Sequence, residues 1–322
     1  MERRTGEKKM LSLGGRTFKA GIVHFMAYPE DLIGPEGYLA GLETILRDEF
    51  FDVVEVSRMS PDAKKRVLPL VRQSGIEVGF GAQPTILKGG LDPGSTDAEL
   101  RERSLKEILE AVDEAADFSA KVFGLASGPD PYPGISSPEA EKAREENLKR
   151  LTESLVKISL RASRYGMEVA LEPFDRVIEK KRLLGPSTMC ARVAALVRTA
   201  APNFGLMIDL SHIPQIEETP EECLNILGPY VVHVHVANVV LKDRGHPSYG
   251  DQHPRFGVPG GEIDEIKVAR FLNALAKLGY FDGTEMRAVS AEVKPARGED
   301  PDTVLASTKR ALIRATSVGP VV

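Results

Sequence analysis

The 322-residue sequence has only two cysteines, Cys190 and Cys223, too few for a disulfide framework and in no zinc-like spacing. Reduced thiols and a cytoplasmic setting fit that count. No apolar run approaches the ~18 residues that a membrane span needs. An excess of positive charge is also lacking: 42 Lys and Arg against 47 Asp and Glu leave a formal net charge of −5. That balance disfavours a surface built to neutralise phosphates, so nucleic acid is not expected as a partner. The one basic run, Met1 to Lys9 (MERRTGEKK), is terminal, and no apolar stretch follows Arg3-Arg4 as a secretory or twin-arginine signal requires. It reads as part of a solvated, flexible N-terminal segment covering residues 1–15. Internal repeats, low-complexity tracts, domain linkers and a P-loop are missing too, and the turn at Pro259-Gly260-Gly261 is loop punctuation rather than a phosphate cradle.

What is present is an ordinary balance of 42% hydrophobic and 28% charged residues, enough to bury a sizeable core. Apolar, β-branched runs recur at Phe18–Phe25, Phe51–Val56, Ile76–Phe80, Val122–Ala126, Met167–Glu172, Phe204–Asp209, Val231–Val236 and Ala288–Val293. Helical periodicity fills the gaps. The spacing predicts helices over Pro138–Tyr165, capped by Ser137, and over Asp97–Phe118, where Leu100, Leu105, Ile108, Leu109 and Val112 form one stripe. Ser187 and Thr219 offer further caps, the latter followed by Pro220-Glu221-Glu222. Eight near-continuous apolar strands alternating with helices imply a parallel sheet covered on both faces, and the count matches a single-domain (β/α)8 TIM barrel over residues 1–322. A doubly wound open sheet is the alternative, but no G-x-G-x-x-G follows the first strand. The longest stretch without a regular pattern, Asn238–Gly261, falls between the seventh strand and the seventh helix, where a functional loop is expected.

In such a barrel the reacting groups sit where strands end. The fifth run (GMEVALEP) ends on Glu172 and the sixth (FGLMIDLSH) on Asp209, with His212 three residues on. The seventh (YVVHVHVAN) carries His233 and His235, and the eighth (AVSAEVKP) ends on Glu292, with Lys294 next on the same face. Carboxylates at apolar strand ends are costly unless paired or bound to a cation. Two Glu, one Asp and one His from four consecutive strands suit one divalent ion, Mn²⁺ first, with Mg²⁺, Co²⁺ or Zn²⁺ compatible. Salt bridges to basic residues at the rim are the bland alternative, and Lys294 is the main candidate for one. Strand alternation puts His233 and His235 on one face, His235 nearer the mouth and His233 in the barrel interior.

These residues resemble a known family. LEPFD, IDLSH, HVHVAN with a later PGGEID, and SAEVKP are similar to the sugar isomerase/epimerase superfamily of xylose-isomerase-like TIM barrels, most clearly from Met167 to Lys294 and closest to its ketose 3-epimerases. The resemblance implies Glu172, Asp209, His235 and Glu292 as metal ligands and His212 as a substrate-binding histidine. It also makes Glu172 and Glu292 the acid/base pair of a divalent-metal-dependent sugar epimerase or isomerase. Proton abstraction next to a carbonyl, through an enediolate that the metal stabilises, is the implied chemistry, with a small sugar as the partner and a homo-oligomer left open. The resemblance is incomplete after the seventh strand. Where the family continues to an acidic residue and then an arginine, this chain has Ala237-Asn238 and then Leu241, leaving Arg244 and Arg255 as the replacements. The expanded loop LKDRGHPSYGDQHPRFG adds Asp251, His246 and His253 to the mouth. His24, at the end of GIVHFMAYP, is a further candidate there beside Phe25 and Tyr28, and Lys294 a candidate contact to a substrate oxygen.

The insertion keeps open a metal-dependent lyase or dehydratase on a keto-sugar, cyclitol or C-glycoside. Asp251 and His253 are also similar to the endonuclease IV branch of the superfamily, but that branch needs histidines on early strands. Here those strands end in SRMS, GAQP and LASGP. A non-catalytic sugar-binding barrel would be expected to lose a ligand, and all four are present.

Overall fold

A computed structural model describes residues 11–13, 15–32 and 37–317. Nine strands occur among them: β1 (Leu11–Leu13), β2 (Arg16–Val23), β3 (Val53–Ser57), β4 (Glu77–Gly81), β5 (Val122–Ala126), β6 (Glu168–Glu172), β7 (Phe204–Asp209), β8 (Val231–Val236) and β9 (Ala288–Ala291). Strands β2 to β9 are parallel and pair in sequence order, and β2 also pairs with β9, from Lys19↔Ala288 to Ile22↔Ala291. That last ladder closes the sheet into an eight-stranded barrel ringed by helices, the (β/α)8 fold expected from the eight apolar runs.

The alternation of side chains sets what each face does. Val54 and Val56, Val78 and Phe80, Phe123 and Leu125, and Val169 and Leu171 join the main apolar core between strands and helices. The intervening residues point into the barrel, where Ala170, Met207 and Val232 form a small separate cluster beside a set of buried polar groups. Two inward glycines make room there. A Cβ on Gly21 would lie 2.2 Å from the Ser290 hydroxyl and 3.1 Å from its Cα, and one on Gly79 would lie 2.8 Å from Cγ of Glu55.

The long helices run Ala98–Asp117 and Pro138–Ser163. Ser137 accepts from the Ala140 amide at 3.2 Å, and Thr219 and Glu222 form a reciprocal capping box. Ser187 does not cap: Pro186 holds the cap position, and Ser187 lies inside helix Ser187–Arg198, its hydroxyl bonded to the Glu218 carboxylate, which competes for the group a cap would use. The segment 1–15 also differs from expectation. Residues 1–10 and 14 lie outside the described residues, while Leu11–Leu13 form β1, antiparallel to β2, with Leu11 and Leu13 buried in the main core. Two leucines spaced to face one side carry enough apolar surface to hold this strand down.

Closure at the β2–β9 seam depends on Gly21. Gly21→Ala is expected to destabilise the fold by about 1–3 kcal/mol, because the added methyl meets backbone as well as side chain. Urea unfolding of the variant against the parent measures the difference.

Candidate metal centre

The carboxyl ends of β6 to β9 bring Glu172, Asp209, His235 and Glu292 together. Each is buried and offers one ligating atom, and those atoms all lie within 4.8 Å of one another. Glu172 ends β6, Asp209 ends β7, His235 is the penultimate residue of β8, and Glu292 follows β9, its amide bonded to the Val236 carbonyl at 3.1 Å. Two of the four groups each turn an oxygen to a shared space rather than to a fixed partner. Glu172 Oε1 and Asp209 Oδ2 are buried without a hydrogen bond. The other Asp209 oxygen accepts from the Ser211 amide at 2.7 Å, and Glu172 Oε2 accepts from the Gln83 amide group at 2.8 Å. Orphaned carboxylate oxygens in a water-poor site are the feature a cation would satisfy, so this oxygen-rich set with one imidazole fits a divalent ion.

His235 joins this set to a deeper layer. Its Nδ1 lies 2.7 Å from Glu292 Oε2 and 3.9 Å from Glu172 Oε1, while its Nε2 lies 3.1 Å from both oxygens of Glu55. Glu55, on β3, is 2% exposed and also binds His233 Nε2 at 2.7 Å. Burial would raise its carboxyl, but the imidazoles of His235 and His233 hold it well below the usual carboxylate range. His233 is thus interior, as alternation predicts.

The mouth carries a second polar cluster. Asp251 accepts from His212 Nε2 at 2.9 Å, His253 Nε2 at 2.7 Å and the Gln215 amide at 3.1 Å, and it pairs with Lys180 at 3.0 Å. Its own amide donates to Glu179 at 2.7 Å, which ties the β8 loop to the β6 loop. Asn238 fastens the other end, donating to the Arg255 carbonyl and accepting from the amides of Val239 and Ile263. The stretch read from sequence as lacking structure is therefore cross-braced.

A cavity of about 440 Å³ opens above the ligand set, within the range of small-molecule sites. Glu172, His235, Glu292, Asp251, His253, Lys180 and Lys294 line one side, and Phe25, Met26, Pro29, Pro84, Leu87 and Phe174 supply apolar wall. A larger groove lies outside the barrel between helices, but Arg58 there pairs with Glu110 and Lys64 with Asp117, a solvated lattice of ions with no convergent chemistry.

Several expected residues stand elsewhere. His212 is buried off the cavity, with Nδ1 donating to the Pro173 carbonyl at 3.0 Å, Nε2 on Asp251 and its ring against Phe174. Both nitrogens are engaged. Desolvation opposes its charge, but Asp251 and Asp209 prevail and push it up to about 9. His253 is the imidazole that does line the cavity. Its Nδ1 lies 3.2 Å from Glu292 Oε1, and its backbone takes φ +48°, a left-handed conformation uncommon for a non-glycine residue. His24 opens the short helix His24–Ala27 instead of extending the strand, and that turn rotates it into the core, where Nε2 bonds Asp31 at 2.9 Å. Arg255 pairs with Glu299 at 2.8 Å, Arg244 is exposed, and His246 accepts from the Ser248 amide, so none of the three lines the cavity. The cationic side chains that do line it are Lys88, Lys180 and Lys294. Glu55, Gln83 and Lys180 went unread in the sequence. The one available signal was an acid inside the apolar run FDVVEVS.

Among the described residues no helix is long and apolar enough to cross a membrane. No curated protein sequence matches the chain. The family described as xylose isomerase-like TIM barrel matches residues 42–312. Among solved structures, the chain is similar to D-psicose 3-epimerase from Clostridium cellulolyticum H10 with D-tagatose, at 16% identity and a TM-score of 0.67 over 93% of this chain and 99% of that one. It is also similar to a D-tagatose 3-epimerase-like protein, at 22% identity and a TM-score of 0.67 over 93% and 98% of the two chains. The IolI protein with a bound zinc atom matches at 15% identity and a TM-score of 0.67, over 93% and 98%.

A divalent ion at a hundredfold excess over its Kd is expected to raise the unfolding free energy by about 2.7 kcal/mol. Asp209→Asn should lose most of that gain, and metal analysis of the parent should give one ion per chain. A thermal melt with and without Mn²⁺ reads both proteins.

Proposed function

Because the chain belongs to the xylose isomerase-like TIM barrel family, we propose that it is a divalent-metal-dependent sugar epimerase or isomerase that moves a proton on a ketose carbon next to the carbonyl. The observation that carries this reading is the placement of Glu172 and Glu292. Both border the cavity, and both belong to the cluster that fits one cation. The neighbours named as ketose 3-epimerases support a ketose as substrate class. A small sugar is the partner, Mn²⁺ leads the metals this donor set accepts, and a cytoplasmic place fits the two buried free thiols.

Glu172, Asp209, His235 and Glu292 would hold a divalent ion, which when bound would supply the positive charge that acidifies a carbon next to a carbonyl. The chain's own groups then do the proton work. Burial, and then the neighbouring Glu292 carboxylate, push Glu172 up to about 7 against the pull of His212. Desolvation would raise Glu292 as well, but His253 and His235 hold it low. A pair of carboxyls with separated proton affinities suits one group that takes a proton and another that returns one. Gln83 on Glu172, and His235 with His253 on Glu292, fix the two carboxylates, and the apolar wall limits water at the reacting carbon.

A lyase or dehydratase reading draws on His253. An imidazole on the cavity wall, held by Asp251 at 2.7 Å and with its other nitrogen 3.2 Å from Glu292, is placed to pass a proton to a leaving group after the same first step. One experiment treats both. The Mn²⁺-loaded protein is incubated with a panel of ketoses and keto-sugars in D₂O. Deuterium at one carbon beside the carbonyl of an otherwise intact sugar supports the epimerase, and a cleaved or dehydrated product supports the lyase. No exchange from any member of the panel overturns both.

Glu172→Gln and Glu292→Gln should each lower turnover by roughly 10²–10⁴-fold, because each keeps an oxygen ligand and loses the base. Each variant should also lose solvent exchange from one epimer more than from the other. Measuring exchange from both epimers with both variants tests this, and equal, mild losses in all four would place the base elsewhere.

A further inference from the structure

We propose that Glu55 is a positioning residue for the metal centre, fixing the His235 imidazole from beneath, and that Gly79 keeps open the space it occupies. The carboxylate reaches His235 through the barrel interior from β3, three strands around the ring from β8. His235 Nε2 lies 3.1 Å from both Glu55 oxygens, and a carboxylate can only accept, so Nε2 carries the proton. Nδ1 is then the nitrogen turned to the ligand set, 2.7 Å from Glu292 and 3.9 Å from Glu172, and a cation taken up among them would displace the proton that Nδ1 shares with Glu292 and meet its lone pair. Selecting that tautomer and holding the ring plane is the work a carboxylate does behind a metal-bound histidine.

Three further observations fit this role. His233 binds Glu55 Oε1 at 2.7 Å and lies edge-on to His235, with ring centroids 5.2 Å apart, so the carboxylate is itself held. Glu55 is 2% exposed, so the bond is sheltered from bulk solvent. Gly79 is registered directly beside Glu55 on β4, and a Cβ there would come within 2.8 Å of Glu55 Cγ, which would force the side chain off its present line. The inference rests on the metal reading above, and its test uses metal affinity without any substrate.

The full-length parent, Glu55→Gln, Glu55→Ala and Gly79→Ala are stripped of metal and titrated with Mn²⁺ in competition with a chelator. The visible spectrum of each with Co²⁺ reports ligand geometry. Glu55→Ala should bind Mn²⁺ about 10–100-fold more weakly. Glu55→Gln should lose less, because its amide oxygen still accepts from Nε2, and Gly79→Ala should weaken binding without touching any ligand. The same substitutions are then made with His235→Ala, where Glu55→Gln and Gly79→Ala should cost nothing more, since the imidazole they act through is gone. Should Glu55→Ala fail to fold, Glu55→Gln and Gly79→Ala carry the same cycle. Unchanged Mn²⁺ affinity and an unchanged Co²⁺ spectrum in the folded variants would overturn the proposal, as would an equal loss in the His235→Ala background. A parent that binds neither ion removes the metal reading together with this one, whereas a binding parent with indifferent variants removes this one alone.

Discussion

Five carboxylates, those of Glu55, Glu172, Asp209, Asp251 and Glu292, share the upper half of one barrel, and none is more than 8% exposed. Unpaired negative charge cannot be kept in so dry a place, and each group must find a cation, an imidazole or an amide. Much of the architecture answers that demand. His233 and His235 answer Glu55, His212, His253 and Lys180 answer Asp251, and the Ser211 amide and Gln83 take one oxygen each of Asp209 and Glu172. What remains is one oxygen of Glu172 and one of Asp209, facing the same space. The ligand set is thus the part of a buried charge network that protein groups leave unfinished.

The β8 loop belongs to the same network. Asp251 gives its side chain to His212 and His253 and its amide to Glu179, so one residue sets the mouth of the cavity and the path of two loops. The left-handed backbone of His253 costs on the order of 1–3 kcal/mol, and it is held where both Asp251 and the Lys294 amide bind that residue. Strain and a place on the cavity wall coincide at His253, whereas His212 stands behind the wall.

The barrel was legible because parallel strands covered on both faces write themselves as apolar runs; Val122–Ala126, Phe204–Asp209 and Val231–Val236 match their strands residue for residue. The four candidate ligands were legible for a related reason, since a polar residue closing an apolar run is conspicuous. Glu55 closes nothing. It sits two residues inside β3, and only the fold reveals that its side chain crosses the interior to His235. Gln83 carries no charge to attract notice. His24 looked like a strand end because the sequence does not show that a four-residue helix begins there. His212 and His253 differ only in where a long loop returns, which no spacing encodes. The comparisons place the chain in its family but at 22% identity or less, so loop-borne residues such as His253 and Lys180 cannot be carried over from any neighbour.

The ligands all come from β6 to β9, whereas Phe25, Met26, Pro29, Pro84 and Leu87 follow β2 and β4. The β2 and β4 side of the mouth is thus mostly hydrocarbon, with Gln83 and Lys88 its polar exceptions, and the β6 to β9 side mostly ionic, with Phe174 its apolar one. A sugar is divided in the same way, with hydroxyls along one edge and C–H groups on its faces. A molecule entering back to front would set hydroxyls against carbon and C–H bonds against carboxylates, losing hydrogen bonds on one side and solvating nothing on the other. For the ketose proposed above, such a rim would act as a polarity compass, favouring the pose that turns a hydroxyl edge toward the carboxylates before any single contact has distinguished one carbon from the next.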